Sequence, residues 1–160
     1  MSGKIYLVAT PIGNLGDISA RALEVLREAD LIAAEDTRNS LRLLNHFEIK
    51  KPLTSYHEYN KIEKAYQLVR EAQTGKMIAV VTDAGMPGIS DPGEALVRIA
   101  YETGTEITIV PGACACVSAL SLTTSSSVQQ SSCRAIATAL SGFGIPSPAA
   151  IYGGLQVTTS

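Results

Sequence analysis

Residues 10–17 form a polar segment with two glycines, and they directly follow a short apolar run. Glycines let the backbone approach a ligand closely, and the free amides at the start of a helix favour an anion or a polar group. The glycine spacing matches neither a dinucleotide-binding fingerprint nor a Gly-Lys-Ser/Thr phosphate loop. On spacing alone, the plainer interpretation is a tight strand-to-helix turn in which Asp17 caps the helix.

Residues 83–93 form a second segment, with three glycines, two prolines and two aspartates after an apolar run. A simple strand-to-helix link takes about 2–6 residues, so a longer and stiffer loop suggests contact with a ligand. Asp83 is suited to accept hydrogen bonds from a hydroxyl or an amine. Asp91 is more simply interpreted as the cap of a helix that starts at Pro92.

Residues 35–38 place two carboxylates, Glu35 and Asp36, beside an arginine. An internally paired turn with a helix cap explains this run as well as a functional site does. Arg38 and Arg42 share one face of the following helix, with two lysines beyond it, and make the best candidate for a phosphate-facing patch. A solvated helix face is an equal alternative for these arginines.

His57 lies in a polar cluster at residues 57–60, after a third strand-like run. Its imidazole is suited to general-base chemistry. A single histidine without an obvious partner in the sequence is more often structural, so both readings stay open.

These segments must be positioned by a regular alternation of strands and helices. The apolar runs predict strands at residues 4–9, 31–34, 51–55, 77–81 and 107–110. Helical spacing predicts helices over residues 18–29, around 41–44, over 62–69, from 92 to 100 and from about 113. Continuous apolar strands predict an α/β fold with a parallel sheet covered by helices on both faces. Ligands bind beyond the carboxyl ends of such strands, where the polar segments and residues 111–113 should meet.

Composition narrows the functional class. The net charge is −2, so the chain has no general attraction to phosphate backbones. No apolar run reaches the roughly 18–20 residues that span a bilayer, and the start of the chain lacks signal-peptide character. The three cysteines, Cys114, Cys116 and Cys133, are odd in number and lack a metal-ligand spacing. We therefore expect a cytoplasmic protein with no membrane segment and no metal.

The character of the chain changes after residue 122. Between residues 123 and 160 the only charged side chain is Arg134, and small polar residues dominate. We expect residues 1–122 to form one α/β domain and residues 123–160 to be an atypical tail. The sequence leaves open whether this tail is native, frameshifted or flexible.

Taken in order, the motifs resemble those of the 16S ribosomal RNA cytidine 2′-O-methyltransferase family, within the tetrapyrrole-methylase superfamily. The segments that carry the resemblance are residues 6–17, 33–38, 57–60, 81–93 and 110–113. It covers roughly residues 3–122. The resemblance implies a protein of two α/β domains that usually dimerises, with S-adenosylmethionine in the cleft between them. The implied substrate is a cytidine ribose 2′-hydroxyl of 16S ribosomal RNA in the 30S subunit.

The resemblance also implies roles for particular residues. The residues implied for binding of S-adenosylmethionine are Pro11, Gly13, Asp83, Gly85, Met86, Ser90, Pro111 and Ala113. The candidates for the catalytic base are Asp17, Glu35 and Asp36. The residues implied for RNA contact are Arg38, Arg42 and His57.

The departure from the family is the missing continuation after Leu122. The linking segment and second domain that the family implies do not follow, so we expect the chain alone to bind the donor weakly and not to methylate RNA. Two alternatives stay open. One is a methyltransferase for a corrin- or porphyrin-type small molecule on the same fold, and the other is a non-catalytic donor-binding or dimerisation fragment.

Overall fold

The computed structural model describes residues 3–88 and 93–122. The chain divides into two units, Met1–Ala115 and one that begins at Cys116. The strands are β1 Lys4–Val8, β2 Leu31–Ala34, β3 Leu53–Ser55, β4 Met77–Val81 and β5 Ile107–Val110. The helices are α1 Ala20–Glu28, α2 Thr37–His46, α3 Lys61–Gln73, α4 Gly93–Glu102 and α5 Ala115–Ser121, with a 3₁₀ turn at Leu15–Asp17.

All five strands form one parallel sheet in the order β3-β2-β4-β1-β5. The predicted α/β class with a parallel sheet is therefore confirmed. β3 is an edge strand, as expected from Pro52, which has no N–H to donate to a neighbouring strand. β1 and β4 lie side by side near the middle, and the polar segments that follow them therefore leave the sheet together.

Helices cover both faces of the sheet because the strand side chains alternate between two apolar clusters. Ile5, Leu7, Ile78 and Val80 point to the face that α3 and α4 cover. The alternate residues of the same strands, such as Val8 and Ala79, pack with α1, α2 and Ile49 on the opposite face. The strands are apolar on both faces for this reason. The boundary predicted between residues 122 and 123 stays a prediction, because residues 123–160 lie outside the described part of the chain.

The first helix starts later than the sequence suggested, and Asp17 does not cap it. Ser19 is the N-cap of α1, and its hydroxyl accepts a hydrogen bond of 3.1 Å from the amide of Ala22. Residues 15–17 form the 3₁₀ turn instead, with the Asn14 side chain capping it. Asp17 lies inside this tighter turn, so the prediction of Asp17 as the cap was wrong. The predicted helix start at Pro92 lies outside the described residues.

Helices α2 and α3 both end with a left-handed residue, but only one of these residues is glycine. After α3, Gly75 has φ 101°, a conformation in which glycine commonly ends a helix. After α2, Glu48 occupies the equivalent position with φ 56°. The amide of Ile49 then donates to the carbonyl of Leu44 at 2.8 Å, which closes the helix end. A side chain in this conformation carries strain that glycine avoids.

Candidate ligand site at the carboxyl edge of the sheet

The segments after β1 and β4 are joined by a pair of backbone hydrogen bonds. The amide of Thr10 donates to the carbonyl of Gly85 at 2.9 Å, and the amide of Gly85 donates back to the carbonyl of Thr10 at 3.1 Å. The buried hydroxyl of Thr10 also donates to the carbonyl of Thr82 at 3.1 Å. These bonds cross from one loop to the other, so each loop holds the other in place.

Gly85 is the point where three loops meet. Its φ of +89° is one that side chains rarely adopt. A Cβ built there would lie 3.4 Å from Cγ2 of Ile12 and 3.7 Å from the carbonyl oxygen of Ala113. The loops after β1, β4 and β5 therefore come together around a residue without a side chain, and backbone groups line their junction.

The loop after β5 also needs a glycine, because it packs tightly on the end of β1. A Cβ on Gly112 would approach the Cβ of Ala9 to 2.9 Å, which is closer than such atoms are normally found. This close approach keeps Pro111 and Ala113 beside the ends of β1 and β4.

Asp83 ties the end of β4 to the start of α2. One oxygen of its carboxylate accepts a hydrogen bond from the backbone amide of Asp36 at 3.2 Å. The other accepts one from the side-chain amide of Asn39 at 3.2 Å. In return, the Glu35 carboxylate accepts a long bond of 3.5 Å from the backbone amide of Asp83. Each oxygen of Asp83 keeps a further lone pair for another donor.

The carboxylate of Asp36 caps α2 and pairs with a neighbouring arginine. Its carboxylate accepts the backbone amide of Arg38 at 2.8 Å, which caps the helix, and pairs with the Arg38 guanidinium at 3.0 Å. The hydrogen bond from the Arg38 side chain holds the pKa of Asp36 below its usual range, and the backbone bonds of the cap add to this. A carboxylate with a lowered pKa that already accepts these donors is a weak proton acceptor.

A cleft opens between α2 and the ends of β1 and β4. Its volume is about 190 Å³. The residues that line it are Thr10, Pro11, Leu15, Asn39, Ser40, Arg42, Leu43, Thr82 and Asp83. One wall is apolar, and the remainder offers both donors and acceptors, with one cation and one anion. This composition suits a small polar ligand with an apolar face.

The hydroxyl of Thr82, which lines this cleft, has no hydrogen-bond partner among the described residues. Thr82 is only 7% exposed. A buried polar atom without a partner costs about 1–3 kcal/mol, so such atoms are rare in native proteins. Nδ1 of His57, after β3, is likewise buried without a hydrogen-bond partner among residues 3–88 and 93–122.

The structure brings some of the predicted site residues together and separates others. Thr10, Gly85 and Ala113 are tied by the contacts above, which places Pro11, Met86 and Pro111 at the same edge through their immediate neighbours in sequence. Ser90 lies outside the described residues. Asp17 is exposed on the 3₁₀ turn and does not line the cleft.

The predicted RNA residues lie on one helix, α2, and in the loop that follows β3. Arg42 lines the cleft, while Arg38 lies one turn earlier on α2 with an 87% exposed side chain. His57 follows β3, where its backbone amide donates to the Asn60 side chain at 2.9 Å. No contact of His57 with the cleft is seen in the described part of the chain.

Thr82 and Asn39 were not among the site residues predicted from the sequence. Asn39 follows Asp36 by three positions, which places it one turn along α2 on the side that meets β4. Thr82 carried no signal beyond its place at the end of a strand, because the state of its hydroxyl depends on its tertiary neighbours.

Within residues 3–88 and 93–122, no three histidine, cysteine or acidic side chains lie together as metal ligands do. In the same residues, none of the helices has the length and apolar character needed to cross a membrane.

Comparison with known proteins identifies the family. Residues 4–152 match the family described as Tetrapyrrole (Corrin/Porphyrin) Methylases. The chain belongs to the tetrapyrrole methylase family. Its parallel sheet and the loops at the carboxyl edge are thus the tetrapyrrole-methylase fold that the motifs implied.

Relatives of this tetrapyrrole methylase include ribosomal RNA methyltransferases. It is 52% identical to ribosomal RNA small subunit methyltransferase I of Pasteurella multocida over 120 residues, which are 75% of this chain and 43% of the relative. It is 51% identical to the protein of the same name from Thermotoga maritima, over 75% of this chain and 54% of the relative. The resemblance to a ribosomal RNA methyltransferase family is confirmed. The chain spans about half the length of these relatives or less.

Solved structures share the fold at low identity. Uroporphyrin-III-C-methyltransferase from Thermus thermophilus has a TM-score of 0.59 and 23% identity, over 77% of this chain and 54% of that one. A diphthine synthase has a TM-score of 0.59 and 21% identity, over 74% of this chain and 48% of that one. These proteins share the architecture of the sheet and its helices.

Proposed function

We propose that this chain supplies the donor-binding sheet edge of an S-adenosylmethionine-dependent methyltransferase that modifies a cytidine ribose 2′-hydroxyl of 16S ribosomal RNA. The observation that carries the proposal is the identity of about half of all matched residues to ribosomal RNA small subunit methyltransferase I proteins. The substrate is then the 30S subunit, the compartment is the cytoplasm, and the working form is a homodimer.

The junction of three loops at Gly85 fits the methyl donor. S-adenosylmethionine, when bound, supplies an electrophilic methyl group on a positively charged sulfur. That charge is lost during transfer, so neutral backbone carbonyls suit the site better than a strongly anionic pocket, which would stabilise the ground state more than the transition state. The residues that we assign to the donor are Pro11, Gly13, Gly85, Met86, Ser90, Pro111 and Ala113. Asp83 supports them by fixing the start of their loop.

The protein must also orient the ribose hydroxyl and accept its proton. Alignment of the reacting atoms is the larger contribution, because it removes the entropic cost of bringing two reactants together. Among the base candidates, Glu35 fits better than Asp36, since the Asp36 carboxylate is engaged by Arg38 and the cap. Asp17 remains a candidate that would have to reach the site from the exposed 3₁₀ turn.

RNA would approach along α2. Arg38 and Arg42 follow one another by one turn on its exposed surface, and surface ion pairs such as Arg38 with Asp36 are weak enough to be exchanged for a phosphate. His57 extends this surface beyond β3. Because the net charge of the chain is −2, binding to RNA phosphates requires a local basic surface such as this one.

The test is methyl transfer to 30S subunits by a chimera. Residues 3–122 would replace the matching segment of the Thermotoga maritima methyltransferase, with the unchanged Thermotoga protein as the control. We expect tritium from labelled S-adenosylmethionine to enter 16S ribosomal RNA, and mass spectrometry of the digested RNA to place it on a cytidine ribose. A folded chimera that binds the donor but leaves the RNA unmodified would overturn the proposal.

The small-molecule alternative has less support. Corrin and porphyrin substrates appear in the name of the family and in that of a structural relative, but only at 23% identity for the latter. The same chimera preparation offered uroporphyrinogen III in place of RNA distinguishes the two substrates.

A further inference from the structure

The cleft between α2 and the ends of β1 and β4 lies on one side of the donor junction. The loop with Ala113 follows β5, whereas α2 follows β2, and the order β2-β4-β1-β5 puts three strand spacings, ~14 Å, between these two strands. A donor bound at Gly85 and Ala113 would lie at the ends of β1 and β5. The cleft lined by Arg42 and Asp83 would then be free to bind the methyl acceptor.

The cleft is partly open to solvent, and its volume of about 190 Å³ has room for one sugar ring. The apolar side chains of Leu15 and Leu43 suit the carbon face of such a ring.

The polar groups of the cleft match the hydroxyls of a ribose. The Thr82 hydroxyl is buried at the wall of the cleft without a partner among the described residues, and a hydroxyl is able both to donate and to accept a hydrogen bond. The Asp83 carboxylate is held in place by Asp36 and Asn39 and still has lone pairs for a hydroxyl donor. Arg42 adds a cation at the same cleft, where a phosphate attached to the sugar would find it.

We propose that this cleft binds one ribose of the acceptor RNA strand, and that Thr82 and Asp83 recognise its hydroxyl groups while Arg42 contacts the adjoining phosphate. The inference rests on the proposed function and adds to it the place and the chemistry of acceptor recognition. Thr82 then contributes to the preference for RNA over DNA, because the 2′-hydroxyl is the group that separates the two sugars.

The experiment measures binding of the 160-residue chain to a fluorescein-labelled RNA oligonucleotide and to the DNA of the same sequence. Thr82→Val removes the hydroxyl and keeps the shape of the side chain. We expect it to weaken RNA binding about five- to tenfold, the loss of one well-made hydrogen bond, and to change DNA binding less than about twofold. Arg42→Gln should weaken both nucleic acids alike and lower the dependence of binding on salt.

Matched controls separate this result from a change in fold or in donor binding. Thr108→Val makes the same replacement in the middle of the edge strand β5 and should leave both affinities unchanged. Thermal melting followed by circular dichroism reports the folding of every variant. Affinity for S-adenosylhomocysteine, measured by calorimetry, should stay within about twofold for Thr82→Val.

Three results would overturn the inference. They are equal loss of RNA and DNA binding in Thr82→Val, loss of donor affinity in place of RNA affinity, and failure of the wild-type chain to bind RNA at all. None of these decides the proposed function, which is judged by methyl transfer in the chimera. A chimera that methylates RNA equally well with and without Thr82→Val would likewise overturn the ribose site while leaving the proposed function standing.

Discussion

The carboxylate of Asp83, at the end of β4, accepts a hydrogen bond of 3.2 Å from the side-chain amide of Asn39 on α2. With the second bond from the backbone of Asp36, it fixes the start of α2 against the loop that carries Gly85. The helix with the exposed arginines and the loop assigned to the donor are thus joined through one side chain.

Replacement of Asp83 should weaken donor binding through this connection. We expect Asp83→Ala to lower the affinity for S-adenosylhomocysteine at least about fivefold, because the loop loses two hydrogen bonds to an ionised group. Asp83→Asn keeps one accepting oxygen and should fall between Asp83→Ala and the wild type. Calorimetry measures the series, and an unchanged affinity in Asp83→Ala would show that Asp83 does not support the donor loop.

Gly85 and Gly104 should both be required for backbone conformation, but only Gly85 lies at the junction of the loops assigned to the donor. Both have a positive φ, but a Cβ on Gly104 meets no atom within 4 Å. Each Gly→Ala variant should therefore lose about 1–2 kcal/mol of unfolding free energy in urea denaturation. Only Gly85→Ala should also reduce donor affinity. If Gly104→Ala reduced it equally, the loss would reflect general destabilisation.

Arg38 and Arg42 should serve RNA and leave the donor unaffected. We expect the double Ala variant to bind 30S subunits more weakly and with a flatter dependence on salt, since each lost phosphate contact lowers the slope by ~1. Lys64 and Arg70 on α3, which covers the opposite face of the sheet from α2, offer a charge-matched control pair. A fall in donor affinity would show instead that the arginines support the donor pocket or the fold.

The pairing of Asp36 with Arg38 should be visible in a titration. Because the Arg38 side chain lowers the pKa of Asp36, Arg38→Gln should raise that pKa toward its ordinary value. The pair stabilises the folded protein at pH values above the ordinary aspartate pKa. This stabilisation is lost as the pH falls through the lowered pKa that Asp36 has in the folded protein. NMR detection of the Asp36 carboxyl carbon measures the shift, and an identical titration in both proteins would contradict the pairing.

Replacement of Glu48 by glycine should increase the stability of the fold. Its φ of 56° at the end of α2 strains an ordinary side chain, and Gly75 shows glycine at the equivalent place after α3. Glu48→Gly should therefore gain up to about 1 kcal/mol of unfolding free energy. Glu24→Gly, inside α1, should instead lose a similar amount. A loss in Glu48→Gly would mean that the Glu48 side chain makes a compensating contact.

The sequence by itself determined the sheet and its direction. The apolar runs at β2, β4 and β5 were predicted with the bounds that the structure shows, because strands buried on both faces are apolar throughout. The glycines and prolines of the loops also marked the carboxyl edge of the sheet as the ligand site. Where two loops pack closely there, as at Gly112, there is no room for a larger side chain. The family followed from the order of the same motifs.

Only the tertiary structure decided which groups meet at that edge. Asp17 and Ser19 are both good caps by residue type, and the 3₁₀ turn at Leu15–Asp17 decided between them. The bonds that join Asp83 to α2, and the missing partner of the Thr82 hydroxyl, depend on β2 and β4 being neighbours although about 45 residues separate them along the chain. Local spacing cannot show such contacts, because strand order in a parallel sheet is set by the packing of the connecting helices and not by adjacency in sequence.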